Sequence, residues 1–208
     1  LVGDNVGDCA GRGADLFESS AAENIGSMIL GAALAIKAGS TAETPIFALG
    51  AIGVMLFPLV ARAFGIIASI VGVYMVSMRE DGDPMSALNR GFYIASILAM
   101  GGFYAACRML LYQPAAPTAH WWFFSCGVVG MATALLFVYI PQYYTEYKYR
   151  PVKSIAEASQ TGPATNVIAG IAVGLESTFA PVIVIGSATL LSYWLGEKAI
   201  TGGGLFGT

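Results

Sequence analysis

Apolar and polar positions alternate in long blocks along this chain. Short charged stretches separate runs that carry almost no charge. Five apolar segments can be drawn, each long enough to cross a bilayer core, which takes about 20 residues as a helix. The first covers residues 1–37; it opens on an acidic motif and becomes continuously apolar at Met28–Ile36. The others are 46–78, 91–111, 121–143 and 166–194. The second is about 33 residues, long even for a tilted span, and holds one charge, Arg62. Gly and Ser recur inside these segments, which lets membrane helices pack closely. The pattern predicts an all-α, multi-spanning transmembrane helix bundle.

Composition sharpens that expectation. The chain has 208 residues, 56% hydrophobic and only 11% charged, against about 25% charged in an ordinary globular domain. A soluble domain, a disordered chain and a disulfide-rich scaffold are all disfavoured. The net charge of −3 leaves no basic footprint for nucleic acid. Cys9, Cys107 and Cys126 form no CxxC or Cys/His cluster, so neither disulfides nor a zinc site is indicated. The last two read as small apolar residues in helices. The single histidine, His120, stands beside Trp121 and Trp122, which suits a headgroup-level position better than catalysis. Without an initiator Met, and with a charged motif at residue 1, the chain reads as an internal piece of a larger protein.

The connections fall on alternate sides. Arg79 and Arg90 in 79–90, with Lys148, Arg150 and Lys153 in 144–165, share the side of the N-terminus. Lys37, Arg108 and Lys198 face the other side. This excess of Lys/Arg places the acidic motif in the cytoplasm.

Charge within the first segment is ordered. Of thirteen acidic residues, five (Asp4, Asp8, Asp15, Glu18, Glu23) fall in the first 23 positions. At about 100° per residue, Asp4, Asp8, Asp15 and Glu18 lie within about 80° of one another and form a stripe about 21 Å long. Glu23 lies off it. Arg12 lies at its edge, within reach of Asp8 or Asp15. Gly3, Gly7 and Gly11 recur every fourth residue, which allows a helix or ligand to approach closely.

Four carboxylates on one face repel each other and are costly to desolvate unless cations neutralise them. Asp4 and Asp8, one turn apart, suit a hard divalent cation such as Mg2+, which takes oxygen ligands and is often shared with substrate phosphates. Such carboxylates can also orient or deprotonate an attacking water. Asp15 and Glu18, deeper in the span, suit an ion or proton path. The alternative is an amphipathic helix whose acids face water. Against it stand the apolar run that Asp15 and Glu18 enter and a glycine spacing that serves nothing on a solvated face. Elsewhere, Arg62 reads as a snorkelling or bundle-paired residue, Glu176 as a packing position with a polar partner, and Asn166 as a cap for the fifth span. Trp121, Trp122, Tyr143 and Tyr144 bracket the fourth segment as interfacial anchors.

The segment GDNVGDCAGRGADLFES (Gly3–Ser19) resembles the DNVGDNVGD…GADLFES segment of the membrane-bound inorganic pyrophosphatases. The stretch YYTEYKYRPVKSIAEASQTGPATNVIAG (Tyr143–Gly170) resembles a second segment of that family, and GLESTFAP (Gly174–Pro181) fits after it. The resemblance covers essentially the whole chain. It implies five spans, the sixth to tenth, of a homodimeric fold that usually has sixteen. It also implies hydrolysis of Mg-bound pyrophosphate at the cytoplasmic face, coupled to H+ or Na+ transport, with K+ needed by some members. An inner ring of six helices forms the site, and the acidic helix is one of them.

By position, Asp4 then matches a Mg2+-pyrophosphate ligand, and Asp8 an aspartate that helps to activate the nucleophilic water. Asp15 matches the aspartate of the coupling funnel, and Glu18 the gate glutamate of many bacterial members. The sequence departs from the family at Arg12, usually Met or Leu, at Leu1, usually Asn, and at Pro141-Gln142, usually Thr-Glu. A cation at Arg12 bears on activity because it can neutralise a carboxylate of the stripe. The family's other functional segments lie outside the chain, so the 208 residues alone are not expected to hydrolyse pyrophosphate. From the residues alone, the competing reading is a non-hydrolytic cation channel or transporter with an acidic intramembrane site; a third is a purely structural bundle.

Overall fold

The computed structural model describes residues 2–37, 50–77, 84–112, 114 and 116–208. Leu1, the start of the second predicted segment and the loop carrying Arg79 lie outside them. Every element among the described residues is a helix. They are α1 (Val2–Lys37), α2 (Gly50–Tyr74), α3 (Pro84–Leu110), α4 (Ala119–Thr145), α5 (Arg150–Ser159), α6 (Pro163–Ser177), α7 (Phe179–Ala199) and the single turn α8 (Gly204–Gly207). Five stretches are long and apolar enough to cross a membrane: α1, α2, α3, α4 with α5, and α6 with α7. The all-α, multi-span architecture read from the apolar blocks is therefore the one observed.

Neighbours in sequence pack antiparallel. Ser20 meets Arg62 and Gly31 meets Val54 across α1 and α2. Gly72 meets Gly91 and Phe64 meets Gly102 across α2 and α3. Across α4 and α7, the Cys126 thiol donates to the Ser192 carbonyl at 3.6 Å, and Trp122 lies edge-on to Trp194. Glycines set the closest approaches. A Cβ on Gly72 would stand 2.7 Å from the Ala95 Cβ, so only glycine admits this crossing. Pro58 has no N–H, which leaves the Val54 carbonyl without its helical donor. That carbonyl faces Gly31, where an added Cβ would be 3.0 Å away.

The core gathers at one end, where α1 finishes. Leu34, Val54, Phe57, Cys107, Leu111 and Phe123 are buried there. Cys107 and Cys126 are helical residues, the first fully buried. Phe206, just after a run of three glycines, wedges into this end against Phe123 (5.5 Å between rings) and Phe57 (6.1 Å). Its turn is held by the Glu197 carboxylate, which accepts from the backbone N–H of Gly202 (2.8 Å) and Gly204 (3.2 Å). His120, the second residue of α4, is buried at the same end between Tyr112 and Trp121, with Nδ1 lacking a hydrogen bond.

Several local features differ from the sequence expectation. Helix α3 begins at Pro84, so Arg90 rides on a helix and not in a loop. The stretch 144–165 contains α5, started by Pro151 in its first turn. The fifth segment, 166–194, belongs to two helices that break at Thr178. Pro181 causes the break, because it cannot donate back to Ser177 and its ring crowds the preceding turn. Asn166 does not cap that segment. The cap position is Gly162, whose φ of +140° favours glycine, and Pro163 starts the helix. Asn166 sits within the first turn, its Oδ1 without a hydrogen-bond partner. Pro141 and Gln142 lie in the last turns of α4, and the Gln142 side chain donates to Glu146 at 2.9 Å.

Candidate functional site at the open end of helix α1

Helix α1 has 36 residues, about 54 Å of rise against an apolar bilayer core of about 30 Å. Its two halves differ. The C-terminal half packs on α2 and buries Gly31, Leu34 and Ala35. Residues 2–19 are all exposed, and among the described residues nothing beyond the helix's own backbone lies within 4 Å of a Cβ built on Gly3, Gly7, Gly11 or Gly13. The glycine spacing that serves close approach thus faces no neighbour among the described residues. The helix runs unbroken through Gly3, Gly7, Gly11 and Gly13 although each of them lowers its helix propensity.

All four acids of the stripe lie on this exposed half, in unbroken helix. The structure therefore places Asp4, Asp8, Asp15 and Glu18 on one face, as the helical period requires. Their depths follow from the Ser20–Arg62 contact. Asp8 lies twelve residues before Ser20 and Tyr74 twelve after Arg62, about 18 Å in each helix. Asp8 is thus level with the end of α2, and Asp4 about 6 Å beyond it. Asp15 and Glu18 stand only about 8 and 3 Å from the level of Arg62, alongside the apolar length of α2. Two tiers result, a pair at or beyond the end of α2 and a pair level with its apolar length.

Asp4 and Asp8 offer hard oxygen donors one turn apart, which suits one side of a Mg2+ site whose other ligands come from water and phosphate. Among the described residues no three His, Cys, Asp or Glu groups converge on a point. The pair is thus a part of a site and would need further ligands. Arg12 makes no salt bridge with Asp8 or Asp15 among the described residues; its exposed side chain stays in a setting where such pairs are weak. Arg62 donates to the Ser20 hydroxyl and is exposed. Glu176, at the break between α6 and α7, accepts from the Tyr144 hydroxyl at 3.5 Å, which supplies the polar partner expected for it.

Another polar face of α1 went unread in the sequence. Ser20, Glu23, Asn24 and Ser27 recur at i, i+3, i+4 and i+7, about 145° around the helix from the stripe. Glu23, Asn24 and Ser27 line a cleft of about 350 Å³ with Arg62. The spacing was visible, but only the position of Arg62 opposite it turns it into a site.

The comparisons with known proteins agree along the whole length. A family profile described as "Inorganic H+ pyrophosphatase" matches residues 1–208. The chain is 56% identical over its full length to the K(+)-insensitive pyrophosphate-energized proton pump 2 of Moorella thermoacetica, of which it covers 29%. It is 48% identical to the pyrophosphate-energized membrane proton pump 3 of Arabidopsis thaliana, again over its full length and covering 27% of that protein. Over 97% of the chain it is 36% identical to a putative K(+)-stimulated pyrophosphate-energized sodium pump of Clostridium tetani, covering 28%. The chain thus spans under a third of the length of the curated relatives it matches.

Proposed function

The chain belongs to the inorganic H+ pyrophosphatase family, and from that premise we propose that it is one segment of a pyrophosphate-energised proton pump. The observation that carries this reading is the two-tier acidic face of α1, with Asp4 and Asp8 at the mouth and Asp15 and Glu18 in the span. Chemistry and transport then occupy successive depths of one helix. The basic residues on the side of the motif support a cytoplasmic mouth. The intact pump works as a homodimer, as the family resemblance implies.

In this reading Asp4 and Asp8 hold Mg2+ together with ligands from the rest of the protein. The ion, when bound, would supply positive charge to the phosphate oxygens. Asp8 accepts a proton from water as the water oxygen bonds to one phosphorus of pyrophosphate. The bond from that phosphorus to the bridging oxygen breaks, and two phosphates leave. Asp15 sits next in depth, where the gain or loss of charge above it alters its hold on a proton. Glu18 receives and releases the transported ion beneath it.

Both of the more similar relatives described above are named proton pumps, one of them K+-insensitive. This favours H+ as the cargo and independence from K+. The test is the intact protein in sealed membrane vesicles. Added pyrophosphate should be hydrolysed and should acidify the lumen with neither Na+ nor K+ present. An absolute need for Na+ would overturn the choice of ion, and absence of hydrolysis would overturn the reading.

A further inference from the structure

The junction of α4 and α5 carries charges that the chemistry above does not use. Trp121 and Tyr143 are exposed aromatics on α4, twenty-two residues apart. That is about 33 Å of helix, close to one bilayer core. Tyr143 and Tyr144 therefore mark the edge of the core, where such rings settle. The Tyr144 hydroxyl donates to Glu176 at 3.5 Å, so Glu176 stands at the same level. From there α6 leads back outward to α5. Thr165 lies eleven residues before Glu176, about 16 Å further out, and its hydroxyl donates to the Ala158 carbonyl at 3.0 Å. Helix α5 thus rises away from the core. Counted back from Ala158, Arg150 lies about 4.5 Å beyond the edge, Lys153 about 9 Å and Glu157 about 15 Å. Lipid headgroups occupy about the first 5–8 Å.

Helix α5 sorts its residues by face. Pro151 is buried, and Val152, Ile155 and Ala158 are partly buried, so the protein itself covers the apolar side. Arg150 and Lys153, one turn apart, share the other side and are exposed. Among the described residues neither makes an ion pair, whereas Lys148 pairs with Glu146 at 2.9 Å. Glu157 is on their face but stands beyond headgroup depth. Next to Arg150, the Tyr149 ring lies 5.2 Å from that of Tyr143, and Tyr143, Tyr147 and Tyr149 are all exposed. We propose that Arg150 and Lys153 bind the phosphate of an anionic phospholipid in the leaflet on the side of the acidic motif, with the exposed tyrosines against its glycerol and ester groups. The guanidinium offers forked donors to phosphate oxygens. The apolar stem of Lys153 lets its ammonium reach back toward the headgroups. Charge that served orientation alone would need only to be on this side of the membrane. It would not need to be unpaired, on one face and at headgroup depth. The site does not depend on the pyrophosphate reading.

The experiment uses the intact, detergent-solubilised protein, titrated with phosphatidylglycerol or phosphatidylcholine, and counts bound lipid by native mass spectrometry. The wild type should hold phosphatidylglycerol in preference to phosphatidylcholine. Arg150→Gln with Lys153→Gln should bind phosphatidylglycerol at least about tenfold more weakly, as expected for two basic groups at the surface, with phosphatidylcholine unchanged. Arg150→Gln with Gln160→Arg keeps the charge of the segment but moves it about 15 Å outward, and it too should bind phosphatidylglycerol more weakly than the wild type. Wild-type binding in either variant would overturn the proposal. So would displacement of the lipid by inorganic phosphate at constant ionic strength, which would assign the site to a soluble anion. Should the variants fail to assemble, the wild type decides. Its preference for phosphatidylglycerol should fade toward about 1 M salt, where charges are screened within about 3 Å, and a preference indifferent to salt would contradict the site.

Discussion

The two ends of helix α1 live in different surroundings. Its C-terminal half is buried against α2, with Phe206 tucked beside Gly31 and the aromatic cluster of Phe57 and Phe123 around it. Its N-terminal half, with every acid of the stripe, is exposed throughout, and its glycines face open space among the described residues. Where this chain supplies its own neighbours, side chains are apolar and interlock. On the exposed half of α1, acids and glycines stand among the exposed Val2, Val6, Leu16 and Phe17. The difference separates architecture from chemistry. A carboxylate face that packed within its own segment would have to be neutralised there, whereas an open one can meet ligands brought by other helices, a metal ion or a substrate.

Substitutions should split along the same line. Asp8→Asn in the intact pump should cut pyrophosphate hydrolysis by about 10² to 10⁴-fold, the range for removing a positioned general base. Glu18→Ala should act on transport first, lowering H+ uptake per pyrophosphate by about tenfold or more, as vesicle acidification would record. Gly72→Ala should cost about 1–3 kcal/mol through overpacking against Ala95, read as earlier thermal unfolding of the solubilised pump. Phe206→Ala should cost about 2 kcal/mol, below the range for a fully buried ring because part of this one stays exposed. The smallest effect belongs to Arg12→Met, whose side chain forms no salt bridge among the described residues. Stability should move by no more than about 0.5 kcal/mol.

Much of this was legible in the amino-acid order. The stripe of Asp4, Asp8, Asp15 and Glu18 follows from helical period alone, and α1 is indeed unbroken across it. Hydropathy finds the apolar blocks but is blind to hinges inside them. Residues 166–194 read as one segment because Pro181 is as apolar as its neighbours; its missing N–H, not its hydropathy, divides α6 from α7. Helix α5 has only ten residues and is polar on average, so a reading by apolar blocks passes over it although its one apolar face is well ordered. Phe206 follows glycines and belongs to no apolar run, so nothing local marks it as a core residue. The polar seam at Ser20, Glu23, Asn24 and Ser27 needed Arg62, forty-two positions from Ser20, to give it meaning. Such pairings are tertiary and leave no trace in spacing.

The most direct test compares Asp8→Asn with Phe206→Ala in the intact pump, measuring pyrophosphate hydrolysis and the thermal unfolding midpoint on the same preparations. The open end should prove chemical and the packed end structural. Asp8→Asn should lose at least about a hundredfold in activity with an unchanged midpoint, and Phe206→Ala should lower the midpoint while the assembled protein still hydrolyses. Asp8→Asn with near wild-type hydrolysis, or with its loss explained by unfolding, would contradict the division of labour between the two ends of α1.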